Sequence, residues 1–292
     1  KKYEAIVNQA NNSEVDAVLI TGDLTDKDSK AYGAFHSIAF INAVGKVAGE
    51  NFVKAFKKKQ KEGAEPKDLD ALIKSELEKM DNPEKVQEMA HLALREYQVK
   101  EISEVDKIFE SCKKPVYAVT GNHDPNFIGE IMQKVHFLDK KGTVDVGGIR
   151  IAGTPSTYEM VPGVPPYDYT HLGDFVTEGK VEDSLEYNRL KDEKIDVLAT
   201  HCGLADRLER DTYNKKRPDQ VMYRLMKDKG VKLNLSGHFH EELIKRVDDI
   251  LQLNPGSERV YEIDMDKKDG KVYVNEVIVY QYVLDKVGTS TN

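Results

Sequence analysis

Short apolar segments that end directly in polar clusters recur five times along this chain. Each segment is rich in Val, Leu, Ile or Ala, as expected of a buried strand. In an open α/β sheet, ligands bind in the crevice at the carboxyl ends of the strands. The pattern therefore predicts an α/β fold with one site where the clusters meet. These clusters are Gly22-Asp23 after 17–20, Gly121-Asn122-His123-Asp124 after 115–119, His201 after 196–199, Gly237-His238-Phe239-His240 after 233–235, and Asn254-Pro255-Gly256-Ser257 after 250–253.

The residue types in these clusters are typical metal ligands. Aspartate can bridge two cations, asparagine offers a neutral carbonyl oxygen, and imidazole suits Zn, Fe, Mn and Ni. Enzymes commonly catalyse nucleophilic displacement at phosphorus with two divalent ions about 3.5 to 4 Å apart. Such ions are held by a mixture of oxygen and nitrogen ligands. We therefore expect the clusters to form a metal centre.

The combination of Gly-Asn-His-Asp with Gly-His-Phe-His resembles the calcineurin-like metallophosphoesterase superfamily, and most closely its small prokaryotic and archaeal phosphodiesterases. Gly-Asp precedes these two motifs and a lone His lies between them, in the family's order, so the resemblance runs from Gly22 to His240. It implies a four-layer α/β/β/α sandwich. It also implies dinuclear, metal-dependent hydrolysis of a phosphoester by a metal-bound hydroxide, in a phosphodiesterase or a phosphatase.

The resemblance assigns a role to most of the polar residues. His123 is the implied catalytic residue that assists the departing oxygen, and Asp124 would accept a hydrogen bond from its imidazole. The implied cofactors are two divalent ions, either Mn, Fe, Zn or Ni, with Mn favoured. The implied metal ligands are Asp23 as the bridge, Asn122, His201, His238 and His240.

One element of the family pattern is absent, because the sequence contains no Asp-x-His. In the family that motif closes the first strand, before Gly-Asp, and residues 1–10 read as the helix that follows this strand. We therefore expect the first strand to be missing. One of the two ions would then have only Asp23 and His240 as ligands and could be lost, unless Asp26 or His171 replaces the missing pair.

A long helical stretch separates the first two motifs. Between Asp23 and Asn122 lie 98 residues, whereas the family pattern usually leaves about 30. We predict one domain over 1–292 with a helical insertion at 31–111. The insertion is either a cap over the site, a surface for homo-oligomer formation, or a set of helices that pack on one another and on the sheet. The predicted helices are 35–49, 51–62, 68–80 and 83–112.

The second half of the chain reads as helix 126–135, a hairpin of 143–146 and 149–152, an irregular loop at 154–175, and a C-terminal hairpin that completes a sheet. The C-terminal hairpin comprises 259–265 and 271–283. Long ordered loops are often functional. The polar and aromatic side chains of the loop could contact a substrate, although packing of the loop on itself is an equal alternative. These side chains are Tyr158, Tyr167, Tyr169 and His171.

Composition limits the partners. A net charge of −8 disfavours binding to nucleic acid, and therefore also disfavours a nuclease of the same superfamily. Two cysteines without paired spacing fit a cytoplasmic protein, and no apolar run is long enough to span a membrane. We expect a small phosphoester substrate. The alternative is a weak or inactive scaffold protein with the same fold, as in the retromer subunit of this superfamily.

Overall fold

The structure is a computed structural model that describes residues 2–25, 45–46, 49–63, 66–79, 83–121, 124–125, 127–155, 185–204, 220–238, 241–256 and 259–281. Helices and strands are interspersed along these ranges, as expected of a mixed α/β fold. Every predicted strand that precedes a polar cluster is present.

The first sheet contains three short parallel strands in chain order, β1-β2-β3. The strands are β1 (Val18–Ile20), β2 (Val116–Ala118) and β3 (Val135–Phe137). The helices of this half are α1 (Lys2–Asn12), α2 (Glu50–Lys61), α3 (Pro66–Leu77), α4 (Pro83–Phe109), α5 (Ile128–Ile131) and α6 (Leu138–Lys141).

The second sheet has the strand order β4-β5-β6-β7-β9-β8. Its four central strands are parallel, and both edge strands are antiparallel to their neighbours. The strands are β4 (Val144–Val146), β5 (Ile149–Thr154), β6 (Val197–Thr200), β7 (Leu233–Leu235), β8 (Leu243–Val247) and β9 (Ile250–Asn254). Two helices, α7 (Leu185–Leu190) and α8 (Gln220–Lys229), lie in the same half.

Alternation of side chains along the strands divides the core into clusters. On β2, Val116 and Ala118 pack with α1 and α4, whereas Tyr117 packs with the second sheet. On β6, Val197 joins that shared cluster, and Leu198 packs with α7 and α8 instead. Successive side chains of a strand point to opposite faces, and neighbouring residues of β2 and of β6 accordingly belong to different clusters.

Helices occupy most of the described residues between β1 and β2. Helices α2, α3 and α4 begin and end within three residues of the predicted bounds, whereas helix 35–49 falls mostly outside the described residues. Ile102 and Phe109 of α4 belong to the cluster that covers the first sheet. The last part of the predicted insertion therefore contributes to the hydrophobic core.

Among the described helices, no segment has the length and apolar character needed to cross a lipid bilayer.

Two predictions for the second half are wrong. The predicted helix 126–135 is only the short α5, because Val135 to Phe137 form β3 and pair with β2. The C-terminal hairpin is present as β10 (Arg259–Lys268) and β11 (Lys271–Gln281), but it forms its own two-stranded sheet and completes neither of the others. The Gly147-Gly148 hairpin between β4 and β5 is confirmed.

Candidate metal centre

The carboxyl ends of strands from both sheets meet at one place. Asp23 follows β1 of the first sheet, and His201 and His238 follow β6 and β7 of the second. His201 Nδ1 lies 2.8 Å from the carbonyl oxygen of Thr21, which is a contact between the two sheets. Because a carbonyl only accepts, Nδ1 carries the proton and Nε2 presents its lone pair to the site.

Two other candidate ligand atoms lie close to His201 Nε2. His201 Nε2 lies 3.2 Å from His238 Nδ1 and 3.6 Å from Asp23 Oδ1. The two imidazole rings meet edge to face, with 5.0 Å between centroids. His201 is fully buried, whereas Asp23 and His238 are partly exposed.

The separation of the two imidazole nitrogens fits a bound divalent ion. Two nitrogens that bind one ion at about 2.1 Å in tetrahedral geometry lie about 3.4 Å apart. The observed separation of the imidazole nitrogens, 3.2 Å, is close to that value. The donor set of two imidazoles and a carboxylate suits zinc, iron, manganese or nickel.

Two of the candidate ligands have a positive φ. Asp23 has φ of 56° and His238 has φ of 66°, which is the left-handed region that side chains other than glycine rarely adopt. Such a conformation costs about 1 to 3 kcal/mol and persists where the surroundings enforce it. Here it directs two candidate ligands toward one point.

Glycines allow the strand ends to approach one another closely. A Cβ on Gly121 would lie 2.3 Å from both the amide nitrogen and the Oδ1 of Asp23. Gly22 has φ of 94°, and a Cβ there would lie 2.3 Å from His201 Nδ1. Neither position can hold a side chain without moving a candidate ligand.

Asp124 connects the first two motifs. Its buried carboxylate accepts hydrogen bonds from the amides of Thr25 at 2.9 Å and Gly121 at 2.8 Å, and from the Thr25 hydroxyl at 3.2 Å. Burial and the nearby Asp23 raise the pKa of Asp124 to about 7, against the lowering effect of these hydrogen bonds. The described contacts of Asp124 thus tie the loop after β1 to the loop after β2.

Outlying residues hold the same loops in place. The Tyr3 hydroxyl on α1 donates to the carbonyl oxygens of Asp23 and Leu24, at 3.2 and 2.9 Å. Asn254 donates from Nδ2 to the carbonyl oxygen of Gly237 at 2.9 Å and accepts from the amide of Gly256. Asn254 therefore ties the residues after β9 to the loop after β7.

Several residues near the site carry no sequence signal for their role. Thr120, at the end of β2, donates from its amide and hydroxyl to the buried carboxylate of Asp139, at 3.1 and 2.8 Å. Thr25 contacts Asp124 across 99 positions of sequence. A Thr beside Gly-Asp or an Asp at a helix start is too common to be identified without the fold. Cys202 was likewise not predicted, although its Sγ belongs to a cluster with His201 and His238.

The structure brings together four of the predicted site residues and does not describe the rest. Asp23, Asp124, His201 and His238 lie at the meeting strand ends. The predicted contact between Asp124 and His123 involves a residue outside the described ranges. The other predicted residues outside these ranges are Asp26, Asn122, Tyr158, Tyr167, Tyr169, His171 and His240.

Solved structures with a similar fold include three from prokaryotes, all at low identity. TT1561 of Thermus thermophilus aligns with 63% of this chain and 79% of its own, at 12% identity and a TM-score of 0.39. Calcineurin-like phosphoesterase YfkN from Bacillus subtilis aligns with 70% of this chain and 75% of its own, at 16% identity and a TM-score of 0.37. An archaeal phosphodiesterase aligns with 61% of this chain and 76% of its own, at 14% identity and a TM-score of 0.29.

The family assignment rests on the sequence itself. No curated protein matches the chain. The sequence model of the calcineurin-like phosphoesterase family matches residues 77–242, which include Asp124, His201 and His238 and begin after Asp23. These 166 residues are more than half of the 292 in the chain, and the chain therefore belongs to the calcineurin-like phosphoesterase family.

Proposed function

We propose that this protein is a metal-dependent hydrolase of phosphoesters, either a phosphodiesterase or a phosphatase. One observation carries the proposal: His201 Nε2 lies 3.2 Å from His238 Nδ1 and 3.6 Å from Asp23 Oδ1 in a chain of a phosphoesterase family. A structural role alone gives no reason for two imidazoles and a carboxylate to meet at strained strand ends.

The proposed ligands extend beyond these three residues. Asn122 and His240 complete the set, and Asp23 bridges two ions, with Mn, Fe, Zn and Ni as candidates. Divalent ions held there would neutralise charge on the phosphoryl oxygens and supply a nucleophilic water at neutral pH. The Nδ1 hydrogen bond to Thr21 fixes the tautomer of His201 that binding through Nε2 requires.

His123 is the proposed proton donor to the departing oxygen. It lies in sequence between the candidate ligand Asn122 and Asp124, and general acid catalysis of this kind typically contributes about 100- to 10,000-fold. The hydrogen bonds that Gly121 and Thr25 donate to Asp124, the residue after His123 in sequence, support this role. Tyr158, Tyr167, Tyr169 and His171 stay proposed contacts to a small phosphoester substrate.

The four-layer α/β/β/α arrangement is also part of the proposal. It is supported by the three core clusters, of which one contains side chains from both sheets and the other two join each sheet to helices. A cytoplasmic location is supported by the presence of Cys112 and Cys202 as thiols. The insertion at 31–111 as a cap or an oligomer surface remains a prediction.

Hydrolysis of model substrates tests the proposed function. The protein is loaded with manganese or zinc, and rates are measured with bis(4-nitrophenyl) phosphate and 4-nitrophenyl phosphate. We expect metal-dependent turnover of at least one of them, and a loss of at least about 100-fold in Asp23→Asn, because that change removes the bridging charge. The ratio of the two rates distinguishes a diesterase from a monoesterase.

Asp269→Asn is the matched control. Asp269 also has a positive φ, of 51°, but it lies exposed in the turn between β10 and β11. The same substitution there should leave turnover unchanged. Metal-loaded protein that hydrolyses neither substrate, or Asp23→Asn with wild-type turnover, would overturn the proposal, and the first result would favour a scaffold function.

A further inference from the structure

Cys202 lies beside the two candidate histidine ligands. It follows His201 directly after β6, and only 4% of its surface is exposed. Its Sγ and one ring nitrogen each of His201 and His238 all lie within 4.8 Å of one another. This is the one such group of three found among the described residues, and a thiol is the third member of it.

The backbone around Cys202 is fixed on both sides. The Thr200 hydroxyl donates to the carbonyl oxygen of Cys202 at 2.7 Å. The amide of Gly237 donates to the carbonyl oxygen of His201 at 2.9 Å, which ties the end of β6 to the loop after β7. Both hydrogen bonds hold residues 200–202 in the turn that keeps the thiol next to the imidazoles.

The separation of the three atoms suits one tetrahedral ion after a small movement. Zinc binds sulfur at about 2.3 Å and nitrogen at about 2.05 Å, so sulfur and nitrogen ligands of one zinc lie about 3.5 Å apart. Starting from a separation of at most 4.8 Å, the thiol needs to move by roughly 1.3 Å. Rotation about the side-chain bond of a cysteine covers that distance.

We infer that Cys202 donates a thiolate to the ion that His201 and His238 hold, and that the centre therefore selects zinc or iron over manganese. When the ion binds, the thiol S–H bond breaks, the proton passes to solvent, and a sulfur–metal bond forms. Thiolates favour zinc and iron, whereas manganese is better suited by carboxylate, carbonyl and water ligands. The inference rests on the proposed metal centre, but it does not require that the centre be catalytic.

A preference for zinc or iron differs from the expectation, stated from the sequence, that manganese is the favoured ion. A site of oxygen and imidazole ligands discriminates little between manganese and zinc beyond the general order of affinities. A thiolate adds a ligand that manganese uses poorly. Replacement of Cys202 should therefore lower the affinity for zinc much more than the affinity for manganese.

Cobalt substitution provides the test, because a thiolate bound to cobalt(II) gives a charge-transfer absorption in the near ultraviolet that imidazole and carboxylate do not. Spectra are recorded for the cobalt-loaded wild type, Cys202→Ser, Cys202→Ala and Cys112→Ser. Cys112 is the matched control, since it is partly buried at the end of α4 against the first-sheet cluster. Competition between zinc and manganese is measured on the same four proteins.

The inference predicts the absorption in the wild type and in Cys112→Ser, and its loss in both Cys202 variants. It also predicts that the preference for zinc over manganese falls at least about tenfold in those variants. Cobalt that binds the wild type without the thiolate absorption would overturn the role of Cys202 alone. A protein that binds no cobalt would overturn the metal centre and this inference together.

Discussion

At the scale of single residues, the site depends on positions where the chain is forced into close contact. Asp23 and His238 adopt left-handed backbone conformations, and Gly121 leaves room for the Asp23 carboxylate where a Cβ would lie 2.3 Å away. The sequence identifies Asp23, His201 and His238 through their motifs. It does not identify Thr25 or Asp139, because their contacts join positions that only the fold brings together.

Gly121→Ala should damage the metal centre more than the fold. The added Cβ displaces the Asp23 backbone and carboxylate, and overpacking of this kind typically costs about 1 to 3 kcal/mol. We expect a free energy of unfolding lower by that amount and a loss of metal affinity of at least tenfold. Gly129→Ala is the control, since a Cβ there meets Phe137 at an ordinary 3.4 Å. Unchanged metal affinity in Gly121→Ala, measured by calorimetric titration, would contradict the close approach.

Asp139 should make stability depend on pH. Burial raises the pKa of its carboxyl, although the hydrogen bonds from Thr120 oppose this. A carboxyl whose pKa is higher in the folded state stabilises fully below its unfolded value, and that stability is lost as pH rises through the folded pKa. The unfolding free energy of wild type minus that of Asp139→Asn should therefore fall as pH rises above about 4.

Denaturant titrations at several pH values measure this difference, with Asp145→Asn as the control. Asp145 also accepts a backbone hydrogen bond, from Gly148, but it is exposed on β4. The unfolding free energy of wild type minus that of Asp139→Asn could instead rise with pH or stay constant. Either result would mean that ionisation of the buried Asp139 carboxyl does not destabilise the folded state.

At the scale of elements, the strands that precede polar clusters could be predicted, but two others could not. β3 has only three residues, and its central His136 is exposed, so a helical pattern across 126–135 competes with it. β8 alternates between half-buried and exposed residues and has an exposed Ile244. Both lie at sheet edges, where tertiary pairing rather than local sequence decides the structure.

Helices α2 and α3 should be removable from the domain. Phe52 and Phe56 of α2 and Leu69 and Ile73 of α3 are buried, and within the described residues none of the four belongs to a cluster that contains strands. Replacing residues 49–80 with a Gly/Ser linker should leave a protein that unfolds cooperatively and still binds metal. By contrast, Ile102→Ala in α4 should destabilise the whole domain by about 2 to 5 kcal/mol.

Thermal unfolding, metal titration and the oligomeric state of the shortened protein decide between the alternatives for the insertion. Loss of folding on deletion would mean that α2 and α3 belong to the core. A dimer that becomes a monomer would instead identify them as an interface.

At the scale of the whole molecule, packing of two sheets brings distant motifs to one point. The contact of His201 with Thr21 spans 180 positions, and the first sheet supplies Asp23 while the second supplies both histidines. The order of the motifs predicts that such a point exists. The pairing of the sheets and the separate C-terminal hairpin could not be predicted, because alternation along a strand does not identify its partner.

The acidity of the molecule should exclude nucleic acid as a partner. With a net charge of −8, the chain repels a phosphate backbone, and non-specific binding depends on neutralising phosphates. We expect no binding of a single-stranded oligonucleotide at about 0.15 M salt, measured by fluorescence anisotropy, at protein concentrations up to about 100 μM. Micromolar binding that weakens with salt would point to a local basic surface and favour a nuclease.

The central claim is that Asp23, His201 and His238 hold a metal ion, and calorimetric titration of zinc into variants tests it most directly. His201→Ala and His238→Ala should each weaken zinc binding by more than about 100-fold, since even the loss of an outer-shell partner costs 10- to 100-fold. His136→Ala, at an exposed position on β3, should bind zinc as the wild type does. Wild-type affinity in both His201→Ala and His238→Ala would contradict the account.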